Sequence, residues 1–438
     1  MLMGVESEYA IAGPTSSENL STLLLDQVRQ SVRCLRGEAP KDLFLQNGAR
    51  FYVDSGNHPE MTTPECSSPA EVIRYILAGE RILWEAVSTH ARHAMIFKCN
   101  VNYGGAKTTW GSHESYLHRS SPASFPDLLV PHNVSRVIYS GAGGFNPFSA
   151  GIEFTLSPRA WHLRRVLSGD STSNRGIFHT KNEPLSRAET HRLHLICGES
   201  LCSETSNLLR IGTTAIVVGL IDGARMTAVP RLAAPLDALR RFVSDPACRA
   251  TARLTDGKRA SAIDIQRFYL GQAEENLSVL PSWAESVVRL WRGVLDSLED
   301  DPLSLCTTLD WTIKWPIYRE RIAAAGFDPP QLPRWNDVAN TVTAAIKKSD
   351  KKGLRVEQIV DLEHSPIPDT IRKLTPFMEE HGLSWNTLRP FIDLQKSLFE
   401  MDMRFGQIGN GGVFNRLDRA GVLSHHVPEV AGVEAATT

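Results

Sequence analysis

The segment Met3-Gly4-Val5-Glu6-Ser7-Glu8-Tyr9-Ala10-Ile11 sets the strongest limit on how this 438-residue chain folds. Met3, Val5, Ser7, Tyr9 and Ile11 fall on one side and Gly4, Glu6, Glu8 and Ala10 on the other, the period of a strand with one face against a core. Glu6 and Glu8 therefore share the other face, roughly 6.6 Å apart along the strand. Hard divalent cations take oxygen ligands, so two carboxylates at that spacing suit adjacent ions. An exposed Glu-x-Glu strand is equally a plain solvated face, and the pair acquires meaning only with partners from elsewhere in the chain.

A second strand region runs from Leu43 to Asp54, interrupted by the turn signal Asn47-Gly48, with Phe51 and Val53 opposing Arg50, Tyr52 and Asp54. Ser68-Pro69-Ala70-Glu71 has the form of a helix start, and Val72, Ile73, Ile76, Leu77, Leu83 and Val87 continue it at helical spacing to about residue 90. Apolar segments at 95–101 and 192–197 predict further strands of one mixed sheet, and helices are expected at about 203–222, 260–277 and 283–299. Near 327 the character changes to Pro329, Pro330 and Pro333, a helix from Asn336 and the charged run Lys347 to Gly353. We place a boundary there, giving a catalytic domain over 1–326 and a mostly helical C-terminal region over 327–438. Residues 427–438 are small and low in complexity.

Lysine and arginine number 47 against 49 acids, so nothing in the charge balance favours nucleic acid or a membrane surface, and any phosphate binding must be local. The opening residues lack a leader pattern and no stretch reaches about 18 apolar residues, so a cytoplasmic protein is expected. Seven scattered cysteines are expected to be reduced, with Cys197 and Cys202 as small hydrophobes rather than a zinc pair. No phosphate-loop string and no nucleophilic serine elbow occur, and the glycines at 141–144 and 409–412 are expected to be turns. The chemically loaded residues sit in short polar strings: Glu6 and Glu8, Tyr52 and Asp54, His58-Pro59-Glu60, Glu65, His113-Glu114, Lys181-Asn182-Glu183, and His194. Taken singly each has a bland alternative; His194, between leucines, has the form of a core histidine.

In order, Gly4-Val5-Glu6-Ser7-Glu8-Tyr9, Asn47-Gly48-Ala49-Arg50-Phe51-Tyr52-Val53-Asp54, His58-Pro59-Glu60, Pro64-Glu65-Cys66, Gly111-Ser112-His113-Glu114, Asn182-Glu183-Pro184 and Arg192-Leu193-His194 resemble the family of the Pup ligase and the Pup deamidase/depupylase (PafA and Dop). These are relatives of glutamine synthetase. The resemblance is dense over 3–270 and returns at Asp402-Met403-Arg404 and Gly412-Val413-Phe414. It implies an α+β fold: a glutamine synthetase-like twisted, mostly antiparallel sheet cradling ATP and Mg2+, with helices packed behind.

The same resemblance implies that Glu6, Tyr52 and Glu60 bind magnesium, with Glu8, His113 and His194 as further metal or phosphate contacts. Asp54 falls on the catalytic aspartate, and Arg50, Glu65, Lys181, Glu183 and Arg404 are the expected nucleotide- and phosphate-binding residues. ATP would phosphorylate a carboxylate, an amine would attack the acyl phosphate, and Asp54 would take the amine's proton. The partners implied are a small Pup-like protein or peptide as carboxylate donor and an amine acceptor. The short interval from Ala10 to Gln46 and the spacing from Asp54 to Glu60 match the ligase branch. Thr180-Lys181-Asn182-Glu183-Pro184-Leu185 departs from the usual Thr-Arg-Asp-Glu-Pro-His, and 327–395 is unfamiliar. The competing readings are an amide ligase for a small molecule or biosynthetic peptide, a Dop-like deamidase, and a binding protein on a decayed scaffold.

Overall fold

A computed structural model describes residues 1–37, 41–54, 56–90, 94–104, 108–181, 189–349, 368–380 and 382–409. Nine strands form one sheet: β1 (Met3–Glu8), β2 (Cys34–Arg36), β3 (Asp42–Leu45), β4 (Arg50–Val53), β5 (Pro59–Thr62), β6 (Ser112–His118), β7 (Arg165–Ser168), β8 (Gly176–His179) and β9 (His191–Leu195). Their order is β7-β8-β9-β6-β1-β5-β4-β3-β2, and every neighbouring pair is antiparallel except β7 with β8. The alternation in Met3–Glu8 holds, with Met3, Val5 and Ser7 buried and Glu6 and Glu8 only partly so. Asn47-Gly48 turns β3 into β4: the Gly48 N–H donates to the Leu45 carbonyl, and φ of 86° at Gly48 is a conformation that favours glycine.

The apolar face of the sheet is covered by helices. Met3, Val5, Tyr116, Leu193 and Leu195 join Leu209, Ile216 and Trp291 of the helices Glu204–Asp222 and Ala284–Asp300. Toward the other edge, Leu43, Phe51 and Val53 meet Leu20, Leu24 and Val28 of Ser17–Ser31 and Leu83 of Pro69–His90. Each such side chain contributes roughly 1.5–3 kcal/mol on burial, which holds the sheet to its helical backing. One ionic pair lies within this layer: Glu114, facing away from His113 on β6, is wholly buried and bonded to Arg136 at 2.6 and 2.9 Å. The helix expected after Ser68 runs Pro69–His90, and Ser68 Oγ accepts from the Glu71 N–H.

One expectation fails. Met95–Phe97 is not in the main sheet; it pairs with Ala10–Ala12 as a separate ribbon, because the chain leaves the sheet at Tyr9. The ribbon is widened by the C-terminal segment, whose Gly406 carbonyl accepts from the Lys98 N–H and whose Ile408 N–H donates to the Ile96 carbonyl. After 327 the chain forms the helices Leu332–Ser349, Pro368–Glu380 and Trp385–Phe405. They share a core with Phe145, Ile313, Tyr318 and Ile322, and half-buried Asp402 accepts from Lys314, Tyr103 and Tyr318. Gly412-Val413-Phe414 and the tail lie outside the described residues. All seven cysteines are free thiols, and no described helix is long and apolar enough to cross a membrane.

Candidate active site

Residues opposite one another in an antiparallel ladder share a face. The register sets His179 across from His194, His194 across from Ser115, His113 across from Glu6, Glu60 across from both Glu8 and Tyr52, and Asp42 across from Tyr52. The face away from the helical backing is therefore a continuous polar band that crosses seven strands. Sequence alternation assigns each residue to a face; only the strand order brings imidazoles from β6 and β9 beside carboxylates of β1.

Glu6 is the hub. Its Oε2 lies 3.3 Å from His113 Nδ1 and 3.6 Å from His194 Nε2, and its Oε1 lies 2.5 Å from the Arg192 guanidinium. Burial works to raise its carboxyl, but the two histidines outweigh that and hold it well below the usual carboxylate range. Glu8 is held at about 2: burial is again opposed, here by His58, His113, Arg159 and the Gly111 N–H at 2.8 Å. Glu60 moves the other way. Burial, then the charges of Glu6 and Glu8, push its carboxyl well above the ordinary value, and the Tyr52 phenol, itself raised by burial and Glu60, stays protonated against it. His194 falls to about 4 mainly through burial, and both of its buried ring nitrogens lack a hydrogen bond among the described residues.

Asp54 closes the band at the end of β4. Its Oδ1 accepts from the His58 N–H at 2.7 Å, and its Oδ2 lies 3.4 Å from His58 Nδ1. Gly111 stands between Glu8 and the opposite wall, where an added Cβ would lie 2.6 Å from both Arg159 Nη2 and His113 Nε2. Glycine is thus required by close approach. Arg50 forms a two-pronged pair with Asp42 at 2.7 and 2.8 Å and covers the Tyr52 ring at 4.4 Å.

The site residues expected from sequence divide accordingly. Glu6, Glu8, Tyr52, Asp54, Glu60, His113 and His194 are brought together, with Arg50 on the same face. Glu65 is exposed on the segment after β5, Lys181 is exposed beyond β8 with its N–H donating to His179 Nδ1, and Arg404 is exposed at the end of Trp385–Phe405. Glu183 lies outside the described residues. Three residues of the site carried no assigned role in the sequence reading: His58, Arg192 and the buried Arg159. The pattern Arg192-x-His194, two cationic side chains on one strand face, was a legible signal for Arg192; nothing in Ser157-Pro158-Arg159-Ala160 marks Arg159.

The donor set fits a divalent metal ion. Carboxylates and imidazoles are both metal donors, and the ligand atoms of Glu6, His113 and His194 converge within 4.8 Å, as do those of Glu8, Asp54 and His58.

Fold and polar face together define an α+β protein whose mostly antiparallel sheet carries a carboxylate and histidine site on the face away from its helices. A family model described as Pup-ligase protein matches residues 1–339. The Pup-protein ligase of Mycobacteroides abscessus is 33% identical over 336 residues, 73% of each chain. The Pup deamidase/depupylase of Mycolicibacterium smegmatis is 37% identical over 355 residues, 75% of this chain and 70% of that one. Among solved structures, the complex of the ubiquitin-like protein Pup with its ligase PafA matches with a TM-score of 0.70 at 21% identity, over 98% of this chain and 77% of that one. The Pup ligase PafA with ADP matches at 0.64 and 22%, over 95% and 79%. The chain belongs to the Pup-ligase family and is a ligase.

Proposed function

We propose that this ligase joins a side-chain carboxylate of a Pup-like protein to the amine of a lysine, through an acyl phosphate. The observation that carries the reading is the polar band itself, where Glu6, Glu8 and Glu60 gather around one point of the sheet and Asp54 stands at its end. Glu6, Glu8 and Glu60, with His113 and His194, would hold Mg2+, whose chemistry is to offset charge on a transferring phosphoryl group. ATP gives its γ-phosphoryl to the donor carboxylate, leaving ADP. The amine nitrogen then attacks the carbonyl carbon, phosphate departs, and Asp54 takes the proton that the nitrogen must lose. A carboxylate suits that step because it attracts a lysine ammonium, whose usual pKa is about 10.4, and then accepts its proton. Arg192, bonded to Glu6, adds positive charge beside the phosphoryl path. Arg50, Glu65, Lys181, Glu183 and Arg404 are assigned to the nucleotide and its phosphates.

We take the unfamiliar stretch 327–395 as the region that selects the partner; its described helices Leu332–Ser349 and Pro368–Glu380 share a core with Ile313, Tyr318 and Ile322. The seven free thiols fit a reducing compartment, the cytoplasm. The test is incubation with MgATP, Pup and Nα-acetyllysine, reading ADP release and product mass. A mass increase by one amide bond with one ADP per product is expected. Amide cleavage of a Pup conjugate without ADP release would replace this reading with the deamidase one.

A further inference from the structure

The turn that carries Asp54 is built around a histidine. The Asp54 N–H donates to the His58 carbonyl at 3.0 Å, and the His58 N–H returns a bond to Asp54 Oδ1 at 2.7 Å. Asn57 reverses the chain at φ 61°, and its carbonyl accepts from Oγ of the fully buried Ser21 at 3.0 Å. The fold-back delivers the imidazole between two carboxylates, with Nδ1 3.4 Å from Asp54 Oδ2 and 3.7 Å from Glu8 Oε2. Trp110 packs against the ring at 5.5 Å between centroids, and the Gly56 backbone approaches so closely that a Cβ there would meet the ring's Cε1 at 3.0 Å.

We propose that His58 is the positioning residue of the amine-activating step, bridging Asp54 to Glu8 so that the Asp54 carboxylate presents one fixed face to the incoming amine. The assignment rests on the ligase reading above. A base works only within hydrogen-bond reach of the proton it takes, and a displacement of about 1 Å costs on the order of 100-fold in rate. Oδ1 is fixed by a backbone N–H that every substitution at 58 except proline retains. Oδ2 depends on the imidazole, since Glu8, the other group facing that ring nitrogen, would repel a neighbouring carboxylate. Loss of the ring should therefore misplace the base without removing it.

The test uses the full chain with MgATP and Pup and two acceptors, Nα-acetyllysine, which arrives as an ammonium, and hydroxylamine, which is already unprotonated at neutral pH. His58→Ala is expected to lower kcat with Nα-acetyllysine about 10- to 100-fold. Turnover with hydroxylamine should fall at least about 10-fold less than turnover with Nα-acetyllysine. His58→Asn, whose side-chain nitrogen can take the place of Nδ1, should restore most of the lysine rate, and His58→Gln should not. Equal losses with both acceptors, or no loss with either, would overturn the assignment. Asp54→Asn run alongside separates the two levels: if it keeps the Nα-acetyllysine rate, the base reading falls. If it loses that rate while His58→Ala keeps it, only the role of His58 falls.

Discussion

Gly111→Ala should damage the site out of proportion to its size. The new Cβ would lie 2.6 Å from His113 Nε2 and 2.6 Å from Arg159 Nη2, so these groups must retreat by about 1 Å to reach ordinary van der Waals separation. Neither has room. Arg159 is buried and bonded to Thr109 Oγ1 at 2.7 Å and to the Ile196 carbonyl at 3.2 Å, while His113 is held against Glu6 at 3.3 Å and lies 3.9 Å from Glu8. Overpacking of this kind costs about 1–3 kcal/mol of stability. The larger effect falls on function, because a shift of about 1 Å in His113 moves the partner that keeps Glu6 charged, worth on the order of 100-fold in turnover. Denaturant unfolding, MgADP titration and steady-state ADP release measure the three quantities separately. Wild-type affinity and turnover in a folded Gly111→Ala protein would refute the reasoning, since the contacts that define the site would then be dispensable.

Arg136→Met leaves the wholly buried Glu114 carboxylate without its partner and should lower unfolding stability by about 3–5 kcal/mol, most of it regained on adding Glu114→Leu; denaturant melts of the single and double variants decide this. His162 is held at about 4, by burial first and then by Arg175, Arg159 and Arg164. Its folded value lies below the unfolded value near 6.5, so its contribution is intact above that pH and is lost as pH falls toward 4, by about 3 kcal/mol. His162→Phe should flatten that part of the stability profile, and an unchanged slope would contradict it. ADP should raise the melting temperature with Mg2+ present and lose most of that effect in EDTA; an equal rise in both would argue against the carboxylate cluster as a metal site.

The extent to which the site was legible follows from what each kind of pattern encodes. Alternation assigns Glu6, Glu8, Tyr52 and Asp54 to the open face from sequence, because side-chain period is a local property. His113 and His194 lie on strands far away in the chain, and nothing local pairs β6 and β9 with β1; they entered through the ordered family strings. His58 belongs to a turn, and only the left-handed conformation of Asn57 returns its ring to Asp54. The same gap explains the error at Met95–Phe97: a short apolar run predicts a strand but names no neighbour. The glycines at 141–144 were expected as turns; a Cβ at Gly141 would lie 2.3 Å from the Leu156 carbonyl oxygen and one at Gly143 2.7 Å from Trp311 Cα, so close packing between segments is also a reason for them.

The central claim is that this polar band activates a carboxylate with ATP. Pup labelled with 18O in its reacting carboxylate, incubated with MgATP, Nα-acetyllysine and the full chain, tests it most directly. One 18O should pass to the inorganic phosphate for each amide formed, because the acyl phosphate releases the original carboxylate oxygen with the phosphoryl group. Amide product with unlabelled phosphate would contradict the account.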